Sequence, residues 1–254
     1  MEWTDEGVVL GVRRLGETSV IVELMTRDHG RHAGVVRGGR SARLQPVLQP
    51  GNSVAVVWRA RMEEHLGVYA VEAREMRAAR YMGSAMALNV LGAALALARL
   101  LPERDPHRNV HDALALLAGQ ACHEPADADL APGPGLLALF ELSLLAELGF
   151  GLDLQRCVAT GVTENLAYVS PKSGRAVSAA AGAPWKERLL PLPAFLRAPT
   201  GRPPHVAEAL QALRLTGFFL QRHVYGPRGL PAPGARERVI GLLQRMAAGA
   251  AAPR

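Results

Sequence analysis

Leu145-Ala146-Glu147-Leu148-Gly149-Phe150-Gly151-Leu152-Asp153-Leu154-Gln155-Arg156-Cys157 and, ten residues on, Tyr168-Val169-Ser170-Pro171-Lys172-Ser173-Gly174-Arg175-Ala176-Val177-Ser178 form the stretch on which the fold turns. The first segment is an apolar run closed by Gly149 and Gly151, and glycine ends helices because it accepts the left-handed backbone that a C-terminal cap requires. In the second, Pro171, Ser173 and Gly174 shape a turn that displays Lys172 and Arg175. A buried helix therefore ends and a basic knuckle follows. Just upstream, Leu136 to Leu148 is hydrophobic on most faces, which predicts the central helix of a bundle.

Helical periodicity recurs over residues 80–100, 108–121, 134–149, 205–223 and 235–247, with Pro102, Pro106, Pro125, Pro132 and Pro134 in the breaks. It lapses over residues 153–200, an irregular insert that holds the knuckle. Toward the N-terminus the period changes to two. Gly7–Arg13, Ser19–Leu24, His32–Arg37, Ser53–Arg59 and Leu66–Val71 are rich in β-branched residues, with Asp28-His29-Gly30 supplying a turn. A long connection, Gly38 to Gln49, separates the third strand from the fourth. Five short strands with one long internal loop fit a small Greek-key barrel of the OB type, and an SH3-like barrel fits the same pattern.

Composition narrows the classes. The 254 residues carry a net charge of +6, unevenly spread. Residues 1–80 hold 12 basic and 10 acidic side chains, 81–148 hold 3 and 8, and 149–254 hold 14 and 5, so the blocks stand at +2, −5 and +9. A basic end beside an acidic middle presents a cationic face, for which polyanions are the usual partners. Only two of the basic residues, Lys172 and Lys186, are lysines, a bias that genome base composition alone can produce. Two cysteines, Cys122 and Cys157, are too few for a disulfide framework and fit a reducing cytosol. The acidic N-terminus has no apolar signal region. Tyr81 to Ala98 is free of charge for 18 residues, but its alanines, Ser84 and Asn89 predict a buried helix rather than a membrane span.

The loop Arg37-Gly38-Gly39-Arg40-Ser41-Ala42-Arg43 follows the third strand, with Arg27 and Arg31 flanking the preceding turn. Adjacent glycines let backbone approach a ligand closely, and arginines spaced by three can each meet a phosphate. The same composition also suits a solvated loop with no ligand. Trp58 and Tyr69 lie within the strands and are expected in the core. His107 and His111 could share a helix face, but no third ligand is near, so a surface pair is expected rather than a metal site. No phosphate loop, dinucleotide fingerprint or nucleophile elbow occurs, so no catalytic residues and no enzymatic activity are expected.

An apolar helix ending Leu-Gly-Phe-Gly-Leu-Asp-Leu, an Arg-Cys pair and a Ser-Pro-Lys-Ser-Gly-Arg knuckle resemble the bacterial recombination mediator family RecO in its alphaproteobacterial form, and the likeness covers nearly all of the chain. The resemblance implies an α+β multidomain protein, with an N-terminal OB-fold β-barrel over residues 1–79 and a mainly α-helical domain over 80–254. It implies DNA contact through Arg27, Arg31, Arg37, Arg40, Arg43, Lys172 and Arg175. Many such proteins carry a four-cysteine zinc knuckle in the insert. Here its frame reads Cys157-x2-Thr160, 17 residues, then Ser178-x2-Ala181, so the knuckle is degenerate and no metal is expected; hydrogen bonds and packing of Leu166, Tyr168 and Val177 should hold it instead.

The resemblance further implies a hydrophobic groove for the acidic C-terminal tail of single-stranded-DNA-binding protein, for which Arg99, Arg104 and Arg108 are candidate rim cations. The function implied is DNA repair: binding single- and double-stranded DNA, annealing complementary strands and, with RecR, loading RecA, without a cofactor, in the cytoplasm with the nucleoid. The rival is an adaptor whose basic face docks acidic protein tails without touching DNA. Should Arg175 prove structural, with Glu164 as its expected partner, the cationic face is expected on Arg214, Arg222, Arg236 and Arg238.

Overall fold

A computed structural model describes residues 1–123, 127–198 and 200–251; Pro125, read above as a helix break, lies outside them. The chain divides into two compact units, Met1–Cys122 and His123–Arg254.

In the first unit, β1 (Glu2–Leu15), β2 (Ser19–Thr26), β3 (Arg31–Val36), β4 (Ser53–Arg59) and β5 (Val68–Glu75) form a closed barrel in the order β1-β2-β3-β5-β4. The 14-residue β1 makes closure possible, because its first half pairs with β4 and its second half with β2. The ring is completed by a parallel contact, Val35 opposite Val68. Inward positions alternate along β2, β3 and β4, as a one-sided core demands. They place Val9, Val22, Leu24, Val54, Val56, Trp58 and Tyr69 in the core, where each large side chain contributes about 1.5–3 kcal/mol by leaving water. Gly34 is required by that packing, since a Cβ there would lie 2.5 Å from the Tyr69 ring. The sequence placed the strands within a few residues, although β1 begins five residues earlier and β5 ends four later than expected.

The connection after β3 is folded back onto the barrel rather than left free. Leu48 is buried, and the buried Asn52 donates through Nδ2 to the carbonyls of Pro46 (2.8 Å) and Val47 (3.0 Å). Its Oδ1 accepts from the N–H groups of Arg77 (2.7 Å) and Ala78 (2.9 Å), fixing the chain as it leaves β5. A single turn, α1 (Ala78–Tyr81), precedes α2 (Ala85–Ala98), which is capped by Ser84 accepting from the Ala87 N–H, and then α3 (Arg108–Gln120). The uncharged stretch is thus a buried helix, as expected, but it packs on α3 and β1 within the barrel unit. No helix among the described residues is long and apolar enough to cross a membrane.

The second unit holds α4 (Pro132–Glu147), α6 (Val206–Leu220) and α8 (Gly234–Ala251), with α6 packed against both others. A π-helical turn, Gln221–Tyr225, and the short α7 (Gly226–Arg228) follow α6. The insert is more regular than its sequence indicated: β6 (Leu166–Val169), β7 (Ala176–Ser178) and β8 (Leu190–Pro191) make a sheet in the order β7-β6-β8, and α5 (Ala179–Gly182) follows β7. These strands have four, three and two residues, too short for a period of two to register in sequence.

One charge pair lies inside the helices. Glu141, with no exposed surface, accepts from Arg236 Nε at 2.7 Å and Nη2 at 3.0 Å and from the Thr216 hydroxyl, while Arg236 also donates to the Leu213 carbonyl at 2.5 Å. Arg236 is therefore no part of a cationic face. Arg236→Met should destabilise the protein by about 3–5 kcal/mol in urea titrations by leaving Glu141 unpaired, and adding Glu141→Leu should recover most of that loss.

Candidate nucleic-acid interface

The basic loop emerges from β3 through Gly38, which adopts φ +65°, and Gly39, where a Cβ would lie 2.4 Å from Val20. Both glycines are needed for the tight passage over the barrel. Arg40 turns back and donates to the carbonyl of Glu17 in the β1–β2 turn. Arg37 and Arg43 are exposed and form no ion pair among the described residues. Arg43, Arg27 and Arg74 line one groove of about 670 Å³ across β1, β4 and β5. Arg74 is a cation that the sequence reading passed over, and Asp5, Glu6, Asp28 and Glu72 share the groove with it. A separate groove of about 590 Å³, lined by Met76, Met82, Leu88, Leu91 and Leu95 among others, has no charged lining residue.

Most of the other candidate cations act as staples inside the first unit. Glu23 accepts from Arg31 Nη1 at 2.6 Å and Arg99 Nε at 2.8 Å. Burial would raise the Glu23 carboxyl, but those two guanidiniums hold it below the usual range. Arg31 also donates to the Leu101 carbonyl, and Arg99 to that of Leu10. Arg27 pairs with Asp112 at 3.2 Å, which lowers the Asp112 carboxyl, and Arg108 pairs with Asp28 at 2.7 Å. Arg104, at φ 61°, donates to the carbonyls of Glu63, Glu64 and His65. The three candidate rim residues, Arg99, Arg104 and Arg108, are thus each committed to a partner in this unit.

Trp58 and Tyr69 are core residues, at 1% and 2% exposure. Trp3, which the sequence reading left aside, stacks on His29 at 3.9 Å and on Trp58 at 5.4 Å. The available signal was register, since Trp3 pairs directly with Trp58 across β1 and β4. His32 lies edge-on to Trp3 and within 2.7 Å of the Tyr69 hydroxyl, and burial pushes its pKa down to about 4, so it is neutral at pH 7.

In the second unit the knuckle is the hairpin turn between β6 and β7. The Gly174 N–H donates to the Ser170 carbonyl and the Ser170 N–H to the Arg175 carbonyl, with Gly174 at φ +68°. Lys172 is exposed and makes no ion pair among the described residues. Arg175 Nε donates to Asp153 at 3.3 Å rather than to Glu164, because residues 153 and 175 are bridged side by side. Both side chains are about half exposed, so the pair contributes little stability. Arg222 Nη1 donates to the Pro171 carbonyl at 2.8 Å and docks the knuckle on the end of α6.

Cys157, Thr160, Ser178 and Ala181 lie close together. Cys157 Sγ accepts from the Ser178 N–H at 3.3 Å and is 3.6 Å from Ser178 Oγ, which in turn accepts from the Ala181 N–H. Burial would raise the thiol, but hydrogen bonds from Thr160 and Ser178 outweigh it and bring Cys157 down to about 6. One thiolate, two hydroxyls engaged locally and a methyl do not fit a tetrahedral zinc site. Among the described residues, no group of three or more His, Cys, Asp and Glu could hold a metal ion. Because the folded thiol titrates below its usual 9, its contribution to stability is complete above pH 9 and is lost as pH falls toward 6. Urea midpoints should therefore rise between pH 6 and 9, and Cys157→Ser should flatten that rise.

The "Recombination protein O N terminal" family matches residues 1–76, and the "Recombination protein O C terminal" family matches residues 82–230. The chain is 56% identical over 246 residues to DNA repair protein RecO of Methylobacterium nodulans, covering 95% of this chain and 98% of that one. It is 57% identical over 242 residues to the RecO of Methylocella silvestris (94% and 95% covered) and 55% identical over 245 residues to that of Mesorhizobium japonicum (96% and 94%). The chain belongs to the RecO family of DNA repair proteins.

Proposed function

We propose that this chain is a recombination mediator that binds single- and double-stranded DNA, anneals complementary strands and, with RecR, promotes RecA loading on DNA covered by single-stranded-DNA-binding protein. Cations left without carboxylate partners carry this reading: Arg37 and Arg43 on the barrel loop and Lys172 on the knuckle. Such side chains neutralise phosphates and release counterions, so two strands can approach without their full mutual repulsion. The order β1-β2-β3-β5-β4 supports an OB-fold, a barrel that holds single strands by a cationic groove. The domains in this reading are residues 1–79 and 80–254, with a degenerate zinc knuckle in the insert. The protein acts in the cytoplasm on nucleoid DNA, consumes no cofactor and catalyses no covalent step. Its protein partners are RecR and the acidic C-terminal tail of single-stranded-DNA-binding protein.

Arg37→Ala with Arg43→Ala should leave the melting temperature unchanged and lower the magnitude of the salt slope of DNA binding by about two. Lys172→Ala with Arg175→Ala should reduce strand annealing in proportion to lost DNA affinity, with stability kept within about 1 kcal/mol. Gel-shift titrations against salt with bare oligonucleotides test both. No binding by the wild-type protein would favour an adaptor that docks only acidic tails.

A further inference from the structure

A column of three aromatic rings runs from the core of the second unit to its surface. Phe219 is buried, His223 stacks on it at 6.1 Å with planes 6° apart, and Phe150 stacks on His223 at 4.8 Å and 11°. Phe150 is 36% exposed, so the outermost ring of the column meets solvent. Backbone hydrogen bonds set its position. The α4 helix ends in a cap in which the Phe150 N–H donates to the Leu145 carbonyl at 2.8 Å and the Gly149 N–H to that of Ala146 at 3.0 Å, with Gly149 at φ +84°. His223 is held in the π-helical turn, an insertion that re-aims side chains at the end of α6.

Segments that carry cations adjoin this column. The knuckle sits against it, since a Cβ on Gly174 would lie 3.0 Å from Leu152 and 3.6 Å from the Phe219 ring. Lys172 and Arg175, the latter paired with Asp153, are carried by that knuckle, and Arg222, next to His223, holds it through the Pro171 carbonyl. Arg214, Phe218 and Arg222, four residues apart on one face of α6 and its π turn, are all exposed. An exposed ring at the end of a stacked column, with cations on adjoining segments, suits both features of a single nucleic-acid strand. Its bases offer π faces and its phosphates negative charge. A duplex hides the faces and offers phosphates alone.

We propose that the second unit holds single-stranded nucleic acid by stacking an unpaired base on Phe150, while Lys172 and Arg222 contact the flanking phosphates. This assignment rests on the DNA-binding reading above and adds the residue of the second unit that tells single strands from duplex. The test uses the full-length protein with a single-stranded oligonucleotide carrying 2-aminopurine, whose emission is quenched by stacking, and a blunt duplex of equal phosphate number. Phe150→Leu keeps apolar bulk without the ring, and Phe150→Trp keeps a stacking face. The wild type and Phe150→Trp should quench the probe. Phe150→Leu should lose the quenching and weaken single-strand binding roughly 5- to 100-fold, with duplex affinity and salt slope unchanged. Unaltered quenching and affinity in Phe150→Leu would overturn the stacking assignment alone, as would an equal loss for single strand and duplex with a lowered melting temperature. Failure of the wild type to bind either oligonucleotide, with an acidic peptide bound instead, would overturn the DNA-binding reading together with this one.

Discussion

Closure of the barrel is the constraint on which the first unit depends. A sheet of five strands left open would expose two rows of unpaired backbone groups, and the long β1 removes both by pairing with β2 along one half and β4 along the other, while β3 meets β5 in parallel. The interior then has a set width. It is filled by Trp58 and Tyr69, which is why residue 34 lacks a side chain, and the chain between β3 and β4 must cross outside. The basic loop lies on the surface for that reason. Its anchor, Asn52, spends both ends of its side chain on backbone groups from two segments, so loop and linker are set by one buried amide.

The second unit solves a different problem. One of its helices, α4, is apolar nearly all round, and such a surface accepts many packings of similar energy. Glu141 breaks that degeneracy. It must meet Arg236 and Thr216 or remain a buried unpaired charge, so packings of α6 and α8 that part it from them are penalised. The end of α6 so positioned receives the knuckle through Arg222 and aligns His223 between Phe219 and Phe150.

Charge is divided between two tasks. Arg27, Arg31, Arg99, Arg104 and Arg108 tie strands, helices and loops of the first unit together, often through bidentate or shared contacts that a lysine would make less well. Arg37, Arg43 and Lys172 are left facing solvent. Net charge describes the attraction of the whole chain for a polyanion, whereas the residues without carboxylate partners are those available to make the contact.

Much of this protein is legible in its sequence. Period-two alternation locates the strands, and the glycines at 149 and 174 mark a helix end and a hairpin turn. These properties are local, because each follows from the backbone preferences of residues a few positions apart. The fate of the arginines is not local. Arg27 meets Asp112 and Arg236 meets Glu141 across 85 and 95 residues, and nothing in the sequence near either partner announces the pair. Trp3 opposite Trp58, the short strands of the insert and the column under Phe150 arise in the same way. Local preference determined which elements form, and tertiary packing decided which side chains are consumed in holding them and which remain free to bind.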